Sequence, residues 1–259
     1  MVFYFTATGN CLYVAKQLDE ERISIPQVKP GSRYNAEQIG VVCPIFGHEI
    51  PSNVREFLKN TAFETPYFYM VLTFGFCQGG ASVRTAEFLE SVGKRADYIN
   101  VLKMVDNALP AFDMEEELRI EPEKRTEESL AAIRSDIQAR RNYIAQPTPW
   151  DLEYHKTFLN APFKLDPETD FRAKGLDMYA ISDDCVGCGV CTRVCPRGCF
   201  RLADGKAKQT MERCVACLAC IHACPKKAIH FTFPEKNPEA RYRNPHITLA
   251  EIIQSNRQN

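Results

Sequence analysis

Long hydrophobic runs are missing from this chain: no stretch of about 18 consecutive apolar residues occurs, so no membrane span is expected. An excess of charge of one sign is missing too. Lys and Arg number 32 against 33 Asp and Glu, a net charge of -1 with a pI near 6.5. Proteins that work on nucleic-acid phosphates carry a clear basic excess, so no nucleic-acid partner is expected. The opening segment MVFYFTATGN has no charged region followed by a long apolar stretch. It reads as a strand of the fold and not as a secretory signal, and a cytoplasmic location is expected. Two phosphate motifs are also absent. Without G-x-x-x-x-G-K-[ST] a Mg-nucleoside triphosphate site is not expected, and without G-x-G-x-x-G neither is a dinucleotide fingerprint.

What is present is an ordinary globular composition, 45% hydrophobic and 25% charged over 259 residues. That is enough chain for one large domain or two modest ones with a real core, and it excludes disorder as a description of the whole. The cysteines are not ordinary. There are 12, and eight of them form two matching segments at an offset of 29 residues. Each reads C-x2-C-x2-C-x3-C-P, first at Cys185, Cys188, Cys191 and Cys195, then at Cys214, Cys217, Cys220 and Cys224. Past the prolines, Phe200 and Leu202 align with Ile229 and Phe231, so the unit of ligand loop, helical turn and strand is duplicated.

This spacing has a chemical reason. Three cysteines at x2 intervals wrap one loop around a cubane, and the fourth points away to ligate the cluster of the other repeat. The expected sets are Cys185, Cys188, Cys191 and Cys224 for one [4Fe–4S] cluster, and Cys214, Cys217, Cys220 and Cys195 for the other. Small residues between ligands (Gly187, Gly189, Ala216, Ala219) allow close backbone approach. Zinc modules close a tetrahedral site from two C-x2-C pairs and need neither the third cysteine nor the Cys-Pro. The segment Ile181–Phe233 resembles a bacterial-type two-[4Fe–4S] ferredoxin. Of the remaining cysteines, Cys43 and Cys199 read as core, and Cys77 reads as either core or a thiol beside a cofactor.

The first half reads as alternating strands and helices. Val2–Phe5 is a continuous apolar run, as in a central parallel strand, and Cys11, Val14, Ala15 and Leu18 mark one buried helix face after it. Between them, Thr6, Ala7, Thr8, Gly9 and Asn10 form a loop at a helix N-terminus, which favours an anion. Further apolar strands are expected at Ile39–Cys43, Tyr69–Thr73 and Val101–Val105, with helices from about Asn53 to Lys59, capped by Ser52, and from Ser82. Ligands of such sheets bind at the carboxyl ends of the strands. Pro44, Ile45, Phe46 and Gly47 follow Ile39–Cys43, and Thr73, Phe74, Gly75, Phe76, Gly79 and Gly80 end and follow Tyr69–Thr73. The T-x-T-G-N loop resembles the FMN phosphate loop of flavodoxins, which makes Phe46, Phe74 and Phe76 candidate stacking partners for the flavin ring. His48 reads as an exposed loop residue or a flavin contact. Glu127–Ile144 shows helical spacing, with Arg134, Arg140 and Arg141 on a solvated face.

The T-x-T-G-N start, the CLACIHACP of the second repeat and the RYRNP segment near the end carry a resemblance over nearly all 259 residues. The chain resembles the flavodoxin–ferredoxin fusion proteins of anaerobic bacteria and archaea. The resemblance implies an α/β fold, a flavodoxin-like parallel sheet with helices on both faces, joined to a small α+β ferredoxin domain. Units are expected at 1–145 (FMN-binding), 146–180 (an ordered linker packed by Trp150), 181–233 (two clusters) and 234–259 (a tail docking on the body). Cofactors are FMN and two [4Fe–4S] clusters. Cys11 departs from the family, where a hydroxyl residue closes the phosphate loop; a thiol is a poor donor.

The function expected is electron transfer between FMN, the clusters and a redox partner. Two alternatives stay open: a flavin-dependent reductase of a small quinone, nitro compound or cofactor, and a redox sensor. The cluster segment 181–233 holds eight Lys or Arg against four Asp or Glu, while the first 180 residues carry -6. An acidic docking patch on the partner is therefore expected.

Overall fold

The computed structural model describes residues 1–159, 178–210 and 214–257. The strands of the first half are β1 (Val2–Tyr4), β2 (Arg22–Ser24), β3 (Arg33–Asn35), β4 (Ile39–Pro44), β5 (Ala62–Glu64), β6 (Phe68–Phe74), β7 (Tyr98–Lys103) and β8 (Tyr143–Ile144). Six of them make one sheet in the order β2-β1-β4-β6-β7-β8, and every pairing in it is parallel. β3 and β5 pair separately as a small parallel ribbon. Counted within the large sheet alone, the order begins 2-1-3-4-5, the doubly wound order of flavodoxin-like folds.

The apolar runs explain the centre of this sheet. β1, β4 and β6 are buried along nearly their whole length, as strands covered on both faces must be. The helices α1 (Asn10–Leu18), α2 (Ser52–Asn60) and α3 (Ala81–Ser91) are the crossovers. α2 begins at Ser52 itself with Pro51 in the capping position, so the expected Ser52 cap is corrected: its hydroxyl lies inside the first turn. α4 (Met114–Arg119) and α5 (Thr126–Gln138) follow β7. The periodic segment from Glu127 ends earlier than expected, because Ile144 belongs to an edge strand.

The segment expected to be an aperiodic linker contains a helix, α6 (Pro149–Leu159). Trp150, expected to pack the domain crossing, is half exposed at its start. Pro162 and Pro167, expected in the linker, lie outside the described residues.

The C-terminal part is a small ferredoxin-type domain. β9 (Tyr179–Ile181) pairs antiparallel with β12 (Ile229–Phe231), and β10 (Phe200–Ala203) with β11 (Lys206–Gln209). Two short helices, α7 (Val190–Val194) and α8 (Ala219–Ala223), occupy equivalent places in the two repeats. The chain then returns to the sheet and ends in α9 (Leu249–Asn256), whose Ile252 is buried. A capping box between Thr248 and Glu251 starts that helix.

Candidate functional site

A cavity of ≈ 690 Å³ lies at the carboxyl ends of β1, β4, β6 and β7, beside the point where the strand order reverses. Its size suits a cofactor. Of the residues expected at a flavin, Thr6, Ala7, Thr8, Asn10, Cys11, Pro44, Ile45, Phe46, Gly47, Thr73, Phe74, Gly75 and Phe76 line it. Gly9, Gly79 and Gly80 are not among its lining residues. Gly79 packs against the His48 ring, and Gly80 faces Arg84 and Leu152.

The loop after β1 is held from outside by the C-terminal tail. Gly9 has φ +107, a conformation that only glycine adopts without strain, and an added Cβ would stand 2.9 Å from Cβ of Asn244. The Asn244 amide donates to the Thr8 carbonyl at 2.8 Å, and Asn256 Nδ2 donates to the Thr6 carbonyl at 3.1 Å. Both threonines line the cavity. Thr6 Oγ1 accepts from the Gly9 amide at 3.2 Å and Thr8 Oγ1 from Asn107 Nδ2 at 2.7 Å. Each hydroxyl therefore keeps its own proton to donate. The Asn10 amide is committed elsewhere: Nδ2 donates to the Val105 carbonyl at 3.3 Å, while Oδ1 accepts from the Tyr242 hydroxyl at 2.7 Å. Burial pushes the Cys11 thiol up to about 12, so it stays neutral beside Thr73 and sets no charge against an anion.

The far wall is aromatic. Phe46 meets Phe5 edge-on with centroids 6.4 Å apart. Phe76 is 41% exposed and lies 5.2–5.7 Å from the rings of Phe112, Trp150 and Tyr154. Asp106 anchors this loop by accepting from the Phe76 amide at 3.0 Å. Gly75 has no substitute there, since an added Cβ would fall 2.1 Å from the Asp106 Cβ. Burial pushes the Asp106 carboxyl up to about 6, against the stabilising Ala108 amide.

His48 is 6% exposed, not the surface residue expected. Its Nδ1 pairs with Nδ1 of His155 on α6, and its ring packs on Phe158. Cys77 lines the cavity, but its thiol donates to Asp151 Oδ1 at 3.3 Å. Burial, with that carboxylate, pushes it up to about 12, so it is not a reactive thiolate.

The domain beyond the sheet arranges its cysteines around two further cavities. Cys195, Cys214, Cys217 and Cys220 line one, with Cys199 beside them. Cys185, Cys188, Cys191 and Cys224 line the other. Among the described residues no three His, Cys, Asp or Glu converge on a point as a single metal ion needs; the thiols stand around the cavities. Their chemistry and the backbone around them fit cubane clusters. Positive φ recurs at equivalent positions of the repeats: 65° at Gly187 and 49° at Ala216, 73° at Gly189 and 62° at Leu218. Left-handed Ala and Leu are strained, and such strain concentrates at functional sites. The fourth cysteines match as well. The Cys199 amide donates to Cys195 Sγ at 3.2 Å and the Ala228 amide to Cys224 Sγ at 3.3 Å.

The three cavities are ordered in space. Leu218 lines both the large cavity and the Cys195/Cys214/Cys217/Cys220 cavity. At the other thiol cavity Cys188 is exposed, and Val186 and Leu202 are 61% and 48% exposed. One thiol set thus abuts the cavity at the sheet, and the other opens to the surface. Sequence reasoning gave no role to Asp106 and Asn107 and did not single out Tyr154, Phe158, Tyr242 or Asn244. Only the end of the expected strand Val101–Val105 and the RYRNP segment marked where some of them lie.

Residues 177–225 match the 4Fe-4S dicluster domain family. Among solved structures the chain is similar to rubredoxin oxygen:oxidoreductase from the anaerobe Desulfovibrio gigas, at 15% identity and a TM-score of 0.30. That alignment covers 51% of this chain and 35% of the other. No curated protein matches. Among the described residues, no helix is long and apolar enough to cross a membrane.

Proposed function

We propose that the protein carries electrons between an FMN in the cavity at the sheet and two [4Fe–4S] clusters, and exchanges them with an acidic redox partner in the cytoplasm of an anaerobe. The observation that carries this reading is Leu218, a single residue that lines both the large cavity and the inner thiol cavity. When bound, the flavin takes up electrons in pairs and the clusters pass them singly.

The chain's own residues would do the holding. The N terminus of α1 and the hydroxyls of Thr6 and Thr8 would take the phosphate, and Phe46, Phe74 and Phe76 would bound the ring. Cys195, Cys214, Cys217 and Cys220 would hold the inner cluster, and Cys185, Cys188, Cys191 and Cys224 the outer one. Near the outer cavity, Asp183 and Asp204 are paired with Lys206 and Lys208. Exposed Lys226, which lines that cavity, and exposed Arg201, next in the chain to its lining residue Leu202, have no ion pair among the described residues, which leaves that side basic. Anaerobically purified protein is expected to hold flavin with about eight Fe and about eight acid-labile sulfides. Zinc without sulfide, or no flavin, overturns the reading.

A flavin-dependent reductase of a small flat acceptor is favoured by one feature, the exposed edge of Phe76 beside Trp150 and Tyr154 at the cavity mouth. Turnover of quinones or nitro compounds with no partner protein present separates it from the carrier.

A further inference from the structure

Helix α8 contains Cys220 and is followed directly by Cys224, and it places one imidazole between them at His222. The ring is buried and bonded at both nitrogens. The Tyr242 amide can only donate, and it reaches Nδ1 at 3.0 Å. Nδ1 therefore presents a lone pair, and the proton of the neutral ring sits on Nε2. Nε2 lies 2.9 Å from the Asn107 carbonyl, which can only accept. The two bonds together fix both the tautomer and the ring's orientation.

Each partner leads to the large cavity. Asn107 lines it and donates through Nδ2 to Thr8 Oγ1 at 2.7 Å. Tyr242 donates through its hydroxyl to Asn10 Oδ1 at 2.7 Å. The loops after β1 and β7 are thus both tied to the helix that contains Cys220 and precedes Cys224. One helical turn before His222 stands Leu218, whose carbonyl accepts from the His222 amide at 3.0 Å. Any shift of His222 therefore moves the wall that the two cavities share.

The duplication makes the point a second way. The residue equivalent to His222, 29 positions earlier, is Arg193. It is exposed, and among the described residues its guanidinium reaches the Gly189 carbonyl within its own repeat. The repeats share their cysteines and their backbone, and they differ at the position where one of them faces the sheet.

We infer that His222 is the positioning residue that sets the separation between the flavin cavity and the inner cluster. This rests on the flavin reading above. Three variants divide the two bonds. His222→Gln keeps an N–H donor near the Nε2 position and has no acceptor for the Tyr242 amide. His222→Asn keeps an acceptor near Nδ1 and does not reach Asn107. His222→Phe keeps neither.

Two measurements are needed on the full chain with iron and flavin counted: amide exchange at Tyr242 in flavin-free protein, and the rate at which electrons placed on the flavin by a light pulse reach the clusters, read from cluster absorbance. Exchange at Tyr242 should rise in the Gln and Phe variants and stay slow in the Asn variant. Electron arrival should slow by about tenfold or more in the Asn and Phe variants, since displacements of about 1 Å cost up to about a hundredfold in position-dependent steps. The Gln variant, which keeps the bond to the cavity-lining Asn107, should slow clearly less than the Asn variant. If the Phe variant loses iron, the Gln and Asn pair decides. An unchanged rate in the Asn variant with full cofactor content overturns the inference. A parent protein with no flavin overturns the flavin reading first, and the inference with it.

Discussion

The Nδ1 atoms of His48 and His155 lie 3.0 Å apart, joining the loop after β4 to helix α6 beside the large cavity, which His48 lines. One ring must donate and the other accept, so the bond fails when both are protonated. Burial holds His48 down at about 4, helped by His155 and the Arg84 guanidinium and opposed by Asp151. His155 is lowered by burial and by Arg84. Arg84 itself is paired with Glu49.

The pH dependence follows from that contact. Folded-state values lie below the ordinary 6.5, so the open form takes up protons first as pH falls. The contact is at full strength above about 6.5 and is lost progressively towards about 4. Trp150, the only tryptophan, sits on α6 and reports it. Its fluorescence should change between those limits, and the change should shrink in His155→Phe. A flat profile, or one identical in the variant, contradicts this.

Cys195→Ala should perturb the cluster of the inner cavity without emptying it, and should spare the outer one. Cys199, buried beside the same cavity, can supply a replacement thiol. The double variant with Cys199→Ala should therefore drop from about eight to about four Fe, while Cys199→Ala alone should keep all of them. Equal iron loss in the Cys199 single variant would sink the ligand assignment.

Gly9→Ala should destabilise the protein by about 1–3 kcal/mol, because φ is +107 and the new Cβ meets Asn244 and Ile247 at 2.9–3.0 Å. The denaturation midpoint checks this, and an unchanged midpoint rules out tight seating of the tail on the loop.

Reversing Lys226 and Arg201 to Glu should slow electron exchange with an acidic partner and flatten its salt dependence. Lys227→Glu should do less by loss of attraction, since Lys227 is paired with Glu239. Equal effects from all three positions would show that net charge, not the basic side of the outer cavity, steers the encounter.

The flavodoxin-like sheet was legible because buried parallel strands must be continuous apolar runs, as Ile39–Cys43 and Tyr69–Thr73 are. β2 and β8 were not, since edge strands as short as Arg22–Ser24 and Tyr143–Ile144 carry no period. Helix α6 escaped because it is apolar on two sides: Tyr154 and Phe158 line the cavity while Trp150 and Leu152 face out. Its return over the cavity is what buries His48, which in sequence is a lone loop histidine.

The sequence by itself determined what depends on neighbours along the chain. Cysteine spacing sets the reach of a ligand loop, and an apolar strand followed by Thr, Gly and Asn sets a helix start. Only the tertiary structure decided what depends on residues far apart. Asn10, expected in an anion-favouring loop, donates its amide to Val105 and accepts from Tyr242, 232 residues away. Buried carbonyls and amides must find partners, and those partners come from whichever segment packs there. For that reason the tail, expected to dock on the body, holds the loop after β1 through Asn244 and Asn256 and, through Tyr242, ties His222 to it.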